Sequence, residues 1–151
     1  MIRKLRKADR RDFLRLSEMF YSSSAVLHAL PRTYHEGMFE ELMRSDRYAE
    51  GYVAELEGAV IGYALLAKTF SREAGGKVMW LEEMYILPEY RSHGIGKAFF
   101  SAIEEQAERE GFARIRLELE ANNLRARALY ERLGYRGLEY KQMVKELRSE
   151  E

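Results

Sequence analysis

The sequence predicts an α/β domain in which helices flank a mixed β-sheet of about six to seven strands. From residue 77 onward, strand-like and helix-like segments alternate, which is typical of parallel strands joined by a crossover helix. Two amphipathic helical segments and a hairpin precede them. The chain has 151 residues, enough for a single core, so we expect one domain over residues 1–151.

The first half of the chain contains one strand, two helices and a hairpin. Asp9 is a candidate N-cap for the first helix. The glycine-containing turn at residues 57–59 is short enough to join two antiparallel strands. The predicted elements are a strand at 2–5, a helix from Asp9 to Tyr21, a helix at 34–43, and strands at 51–56 and 60–68.

The second half contains the most regular helix of the chain, which Gly111 ends. Pro88 ends the strand before that helix, because proline cannot donate to a strand ladder. The predicted elements are a strand at 77–87, a helix at 95–110, a strand at 113–119, a helix from Asn122 or Asn123 to Leu133, and one or two strands within 135–147. The order is therefore β-α-α-β-β-β-α-β-α-β, with a further strand optional.

Composition excludes several classes of protein. Lys and Arg together number 25, as do Asp and Glu, so the chain lacks the positive charge that nucleic-acid binding usually needs. It contains no Cys, so disulfides, thiolate metal sites and a Cys nucleophile are excluded. The longest apolar stretch, residues 59–67, is far shorter than a membrane span. We expect a cytoplasmic protein with no nucleic-acid or membrane partner.

The run Arg91-Ser-His-Gly-Ile-Gly96 lies between the predicted strand at 77–87 and the following helix. Gly94 and Gly96 lack Cβ atoms, so backbone N–H groups can converge on a ligand where the helix N-terminus adds its positive dipole end. This favours a pyrophosphate cradle, although a flexible turn would carry the same residues. The spacing fits neither the dinucleotide fingerprint nor the P-loop.

Two segments extend this signal to a family. Residues 80–97, which end in Arg91-Ser-His-Gly-Ile-Gly-Lys97, resemble the central motif of the GCN5-related N-acetyltransferase (GNAT) family, written R/Q-x-x-G-x-G/A after a strand. Residues 123–135, from Asn123 through Tyr130 to Tyr135, resemble the second signature of that family. The resemblance covers roughly residues 78–136. It implies a GNAT-type mixed sheet, binding of acetyl-CoA as cosubstrate, and acetyl transfer to a primary amine.

The resemblance also implies which residues hold the cofactor. Backbone N–H groups of Met84, Tyr85 and Ile86 would bind the oxyanion of the tetrahedral intermediate, and Asn123 would bind the pantetheine arm. Asn123 could equally be only a helix cap. The cofactor-binding set is Met84, Tyr85, Ile86, Arg91, Ser92, His93, Gly94, Ile95, Gly96, Lys97 and Asn123.

Acetyl transfer to an amine needs a base, because an alkylamine is almost fully protonated at neutral pH. By resemblance, Glu82 lies at the position of the family's carboxylate, and Tyr130 lies at that of the acid that protonates the departing thiolate. Glu83 is adjacent; on a regular strand Glu82 and Glu83 point to opposite faces, and a bulge would change which one faces the acetyl group. Surface roles for the carboxylates and core packing for Tyr130 are the alternatives.

The acceptor site is predicted less directly. The irregular polar stretch between the first two helices is a candidate acceptor-binding region, since loops on a rigid scaffold often determine specificity. We predict Tyr21, His28 and Glu83 as substrate-binding residues and a small amine, such as a polyamine or an amino acid, as the acceptor. The alternatives are a protein lysine or N-terminal amine, a non-catalytic acyl-CoA-binding module, and an unrelated nucleotide-binding module. We predict no metal, because His28 and His35 form no ligand motif, and the family resemblance favours a homodimer.

Overall fold

A computed structural model of the chain describes residues 1–148, which contain five strands and four α-helices. The predicted domain, 1–151, therefore extends three residues beyond the described part. The strands are β1 (Ile2–Lys4), β2 (Ala49–Leu56), β3 (Ala59–Ser71), β4 (Gly76–Ile86) and β5 (Arg114–Leu117). The helices are α1 (Arg10–Tyr21), α2 (Arg32–Arg44), α3 (Ile95–Arg109) and α4 (Leu124–Arg132). The described residues form two compact units, one that ends at Glu118 and one that begins at Leu119.

The first unit contains the whole mixed sheet, whose strands lie in the order β1-β2-β3-β4-β5. The first three pairings are antiparallel, and β4 pairs with β5 in parallel through the crossover helix α3. The predicted α/β class and the predicted crossover between parallel strands are thus confirmed. Strand β5 is shorter than its prediction of 113–119, and its pairing with β4 ends at Leu81↔Leu117.

A β-bulge interrupts the pairing of β3 with β4. Leu65 pairs with Glu83 and Leu66 pairs with Leu81, so Glu82 is the extra residue of the bulge. Because side chains alternate along a strand, the extra residue places Leu81 and Glu83 on opposite faces of the sheet. The bulge keeps Leu81 in the apolar core while Glu83 points to the other face.

Both faces of the sheet are covered by apolar helix surfaces. On α1, Phe13 and Leu16 are fully buried, as the helical periodicity predicts. On α3, the buried face consists of Phe99, Phe100, Ile103, Gln106 and Ala107. Gly111 has a φ of 72°, so it provides the left-handed residue that ends α3.

Asp9 precedes α1 but does not cap it through its side chain. Its carboxylate accepts two hydrogen bonds from the guanidinium of Arg3, at 2.8 and 2.9 Å, and one from the backbone N–H of Arg6 at 2.7 Å. The hydrogen bonds from Arg3 are the main reason that the pKa of Asp9 lies below its usual value. The predicted N-cap position is correct, but the carboxylate joins β1 to the turn before α1.

The second unit contains α4, which begins after Asn123 and is followed by Gly134 with a φ of 93°. We predicted one or two strands within 135–147, but no strand is assigned among residues 135–148, so the described sheet has five strands. Alternation of apolar and polar residues favours an extended backbone, whereas a strand also requires ladder hydrogen bonds to a neighbour. Across residues 1–148, no helix combines the length and apolar composition needed to cross a bilayer.

Candidate active site

The carboxyl end of β4 has an unpaired edge, which we call the open edge and define as the β5-facing side of residues 82–86. Strand β5 pairs with β4 only as far as Leu81, whereas β4 continues to Ile86. The Leu87 N–H donates to the Ile61 carbonyl in β3. Because successive residues of a strand direct their N–H groups to opposite edges, those of Met84 and Ile86 point to the open edge and that of Tyr85 points to β3. Met84 and Ile86 thus present two backbone donors at one site.

Glu82 lies at the start of the open edge, in the bulge, and is exposed to solvent. Partial loss of its hydration raises its pKa, and repulsion from the carboxylates of Glu118 and Glu83 raises it further. A carboxylate with a raised pKa is a stronger base near neutral pH than an ordinary one. The bulge therefore places a carboxylate suited to proton transfer beside two free N–H donors.

Glu83 points to the face of the sheet that α1 covers. Its two oxygens each accept a hydrogen bond of 2.8 Å, one from the phenol of Tyr21 in α1 and one from the phenol of Tyr63 in β3. Burial, together with the charge of Glu83, raises the pKa of both phenols, so both remain donors. Two predicted substrate-binding residues, Tyr21 and Glu83, are therefore in direct contact, whereas His28 is exposed in the segment between α1 and α2.

The predicted phosphate loop connects β4 to α3. Ser92 and Gly94 have φ values of 65° and 82°, and such a conformation is uncommon for a serine. A Cβ on Gly96 would lie 3.8 Å from Ile86 Cδ1 and 4.0 Å from Met84 Sδ, so the first turn of α3 lies against the end of β4. The first-turn N–H groups of a helix have no intrahelical acceptor and carry the positive end of its dipole. The predicted loop residues thus form an exposed anion-binding geometry.

Arg91 and His93 are both tied to the backbone of this loop. The Arg91 Nε donates to the Ile86 carbonyl at 2.8 Å, and its guanidinium lies 5.4 Å from the centroid of the Tyr85 ring. The His93 Nδ1 lies 2.8 Å from the Arg91 carbonyl. These contacts hold the loop against the open edge. Arg91 can still direct its terminal nitrogens to a phosphate, since only Nε is used here.

The second unit carries the other predicted functional residues. The Asn123 Oδ1 accepts a hydrogen bond of 3.1 Å from the N–H of Ala126, so this side chain caps α4 and its amide nitrogen remains a donor. Tyr130 lies in the last turn of α4, with its ring centroid 6.3 Å from that of Tyr135. Burial raises the pKa of Tyr130, which keeps the phenol protonated at neutral pH.

Three polar residues near Glu83 were not identified from the sequence. Tyr63 lies in the apolar run of β3, Ser17 lies on the buried face of α1, and His35 lies on that of α2. Each looks like a core position on its own element, and the only signal was a polar group on an apolar face. Among residues 1–148, no group of three or more His, Cys, Asp or Glu side chains could hold a metal ion.

Known proteins that are similar to this chain point to one family. The model of the acetyltransferase (GNAT) family matches residues 11–135. The chain is 34% identical over 112 residues to the thialysine N-epsilon-acetyltransferase of Bos taurus, covering 66% of this chain and 65% of that enzyme. It is 34% identical over 83 residues to the uncharacterized N-acetyltransferase YhfO of Bacillus subtilis, covering 55% of this chain and 56% of that protein. The chain thus spans less than two thirds of the length of these two relatives.

Solved structures share the fold. The aminoglycoside acetyltransferase AAC(6')-Iy, in complex with the bisubstrate analogue CoA-S-monomethyl-acetylneamine, superposes with a TM-score of 0.81 at 19% identity and 97% coverage of both chains. The family match covers far more than half of the chain and includes both segments that suggested it. The chain belongs to the GNAT acetyltransferase family.

Proposed function

We propose that this enzyme transfers the acetyl group of acetyl-CoA to a primary amine of a small molecule, by direct attack in a ternary complex. The observation that carries the proposal is the position of Glu82. It lies in the bulge beside the open edge, its pKa is raised, and the adjacent N–H groups of Met84 and Ile86 point to the same edge. A base and an oxyanion site side by side are what the attack of an amine on a thioester requires.

Glu82 is the proposed general base, and Met84 and Ile86 are the proposed oxyanion donors. The loop from Arg91 to Lys97 would bind the pyrophosphate of CoA through backbone N–H groups and the α3 dipole. Tyr85 contributes its ring to the Arg91 contact, and its N–H belongs to the sheet. These roles place acetyl-CoA along the open edge.

Tyr130 is the proposed acid that protonates the departing thiolate, and Asn123 is the proposed partner of the pantetheine arm. The support for both is the resemblance of residues 123–135 to the second signature of the family. A phenol that stays protonated at neutral pH is a suitable donor to a thiolate.

Tyr21 and Glu83 are proposed to bind the acceptor, with His28 at the outer end of its site. A carboxylate that keeps lone pairs free beside two phenols can accept a hydrogen bond from an ammonium group. The amine-acetylating relatives support this class of acceptor, since one is named for thialysine and AAC(6')-Iy was solved with an acetylneamine analogue. A polyamine or an amino acid fits the same chemistry.

Two other functions are tested by the same assay. A protein lysine or N-terminal amine would replace the small amine, and a non-catalytic acyl-CoA-binding module would release no thiol. We also propose that residues 1–151 form one acetyltransferase domain, that the protein is cytoplasmic and that it acts as a homodimer. Sedimentation of the purified chain tests the homodimer.

The experiment that tests the proposed function is a panel of primary amines with acetyl-CoA, read by release of the CoA thiol. The chain has no Cys, so the assay has no background from the protein. Turnover with a diamine, an aminoglycoside or a lysine analogue supports a small-molecule acceptor. Turnover only with peptides would identify a protein acetyltransferase, and binding of acetyl-CoA without any turnover would identify a binding module.

A further inference from the structure

The two phenols that donate to Glu83 are held in different ways. Tyr63 lies in the middle of the sheet, in β3, and is fully buried. Tyr21 is the last residue of α1 and is partly exposed, and no helix or strand is assigned between it and Arg32, where α2 begins. The ends of helices fray more readily than their middles. The backbone therefore fixes Tyr63, whereas Tyr21 needs support from other side chains.

Two rings provide this support for Tyr21. The ring of Phe20 lies 5.2 Å from the Tyr21 ring at an interplanar angle of 90°, and the imidazole of His35 lies 5.4 Å from it at 72°. Edge-to-face contacts of this kind are favoured over a face-to-face sandwich. Phe20 is the neighbour of Tyr21 in α1, so His35 is the ring that ties this side chain to a second helix.

His35 is in turn held by a buried polar contact between α1 and α2. Its Nδ1 shares a hydrogen bond with the hydroxyl of Ser17, and both residues are 4% exposed. Elsewhere the same two helices meet through apolar rings, since Phe13 and Phe39 pack 5.7 Å apart. An apolar pair of the same shape would be about as stable as a buried hydroxyl and imidazole, which both lose their hydration.

The polar pair adds orientation to the packing. A satisfied buried hydrogen bond selects one arrangement of its partners and makes it rigid. The bond to Ser17 therefore fixes how the imidazole of His35 is turned, and the imidazole is the surface against which Tyr21 packs. The contacts thus lead from the interface of α1 and α2 to the phenol that donates to Glu83 at 2.8 Å.

We propose that Ser17 and His35 are positioning residues of the acceptor site, which act through Tyr21. Their hydrogen bond fixes the imidazole, and the imidazole holds Tyr21 where its phenol donates to Glu83. When Tyr21 is displaced, Glu83 keeps only its hydrogen bond from Tyr63 and can turn about it. The inference rests on the proposed function, in which Glu83 binds the ammonium group of the acceptor.

The first test is a double-mutant cycle that combines Ser17→Ala with Tyr21→Phe. In the wild-type background, Ser17→Ala should raise the KM for the amine about 3- to 5-fold and leave the KM for acetyl-CoA unchanged. In the Tyr21→Phe background the phenol is already absent, so Ser17→Ala should cause no further change. An equally large increase in both backgrounds, or no increase in either, would overturn the positioning role.

An apolar replacement of the pair separates positioning from stability. The double variant with Ser17→Ala and His35→Phe leaves no buried polar group unpaired, so it should regain the melting temperature that Ser17→Ala loses. Its KM for the amine should stay raised, because no hydrogen bond fixes the new ring. If the KM returns to the wild-type value together with the melting temperature, Ser17 and His35 are structural residues only.

Gln106→Ala is the matched control for the loss of a buried polar side chain. Gln106 is 7% exposed on α3 and hydrogen-bonds to Arg109, away from Tyr21 and Glu83. This variant should have a lower melting temperature and an unchanged KM for the amine. An equal rise in KM in Gln106→Ala would show that destabilisation alone explains the effect of Ser17→Ala.

A second readout does not need an acceptor. The ¹³C chemical shift of the Tyr21 Cζ atom, which carries the hydroxyl, reports the hydrogen bond to Glu83, and Tyr21→Phe identifies its signal. This shift should change in Ser17→Ala in the same direction as in Glu83→Gln, and Gln106→Ala should leave it unchanged. If no amine yields thiol, the proposed function fails, but this experiment still decides whether Ser17 positions Tyr21. A Cζ shift that responds to Glu83→Gln and not to Ser17→Ala overturns the inference.

Discussion

Two regions meet at the carboxylates of Glu82 and Glu83, and they differ in which atoms provide their polar groups. The open edge of β4 and the first turn of α3 present mainly backbone N–H groups. The polar groups around Glu83, which we call the Glu83 cluster, are side chains from α1, α2 and β3, namely Tyr21, Ser17, His35 and Tyr63. Backbone donors suit the phosphates of CoA and the oxyanion of the tetrahedral intermediate, and both are the same whatever the acceptor is. Side-chain donors can differ from one enzyme to another, so they suit a site whose acceptor also differs between enzymes.

This contrast has an energetic side. Backbone groups at a strand end or helix end are unpaired because of chain geometry, so they are available without any cost in side-chain burial. A buried network of phenol, hydroxyl and imidazole requires every member to be satisfied, because one lost partner leaves the others desolvated and unpaired. We therefore expect substitutions at the open edge to affect the rate of acetyl transfer, and substitutions in the Glu83 cluster to affect both acceptor binding and the stability of the fold.

The largest expected effect is that of Glu82→Gln. Removing the proposed base should lower kcat about 10²- to 10⁴-fold without changing the affinity for acetyl-CoA. Because the pKa of Glu82 is raised, the wild-type rate should fall on acidification at a higher pH than an ordinary carboxyl would give. Steady-state kinetics across pH check both points. Equal activity in Glu82→Gln and the wild type would assign the base to another residue.

The loop between β4 and α3 was predictable from sequence because its determinants are local. A strand that ends at proline, two glycines and a helix occupy one short run, and backbone donors follow from them. The open edge was implied only by the family resemblance, because it depends on where the distant strand β5 stops pairing with β4. The bulge at Glu82 was not predictable, since it depends on the register that β3 imposes on β4. The Glu83 cluster was not predictable either, because residues 17, 35, 63 and 83 come together only when α1, α2, β3 and β4 pack against one another.

The next effect concerns Gly62, which pairs with Ile86 across β3 and β4. A Cβ at this position would lie 2.8 Å from the backbone oxygen of Tyr85, so Gly62→Ala must displace β4 next to the open edge. We expect a loss of about 1–3 kcal/mol of stability, as in other overpacked sites, and weaker binding of acetyl-CoA. Thermal unfolding with and without acetyl-CoA measures both.

Gly37→Ala is the matched control for Gly62→Ala. Gly37 is exposed within α2 and a Cβ there meets nothing within 4 Å. Alanine has the higher helix propensity, so this variant should gain stability, by up to about 1 kcal/mol. If both alanine variants lose stability equally, the close approach of β3 to β4 does not contribute to the stability loss of Gly62→Ala.

A smaller effect is expected for Tyr21→Phe, which removes one of the two phenols on Glu83. The loss of one hydrogen bond should raise the KM for the amine about 3- to 10-fold, equivalent to about 0.5–1.5 kcal/mol, and leave the KM for acetyl-CoA unchanged. Initial rates with each substrate varied in turn provide the measurement. A change in the KM for acetyl-CoA alone would place Tyr21 in the cofactor site instead.

The smallest effect is on stability and again concerns Glu82. Its pKa is raised in the folded chain, so ionisation is penalised there and the fold loses stability as pH rises from the unfolded value through the folded one. Glu82→Gln removes the penalty, and because the side chain is exposed we expect a gain of only about 1 °C in Tm at neutral pH. At acidic pH, where both states are protonated, the two proteins should melt together. A variant that is less active but slightly more stable at neutral pH would show that the bulge holds a carboxylate for chemistry at the expense of the fold, whereas a lower Tm at neutral pH would show that Glu82 stabilises the open edge.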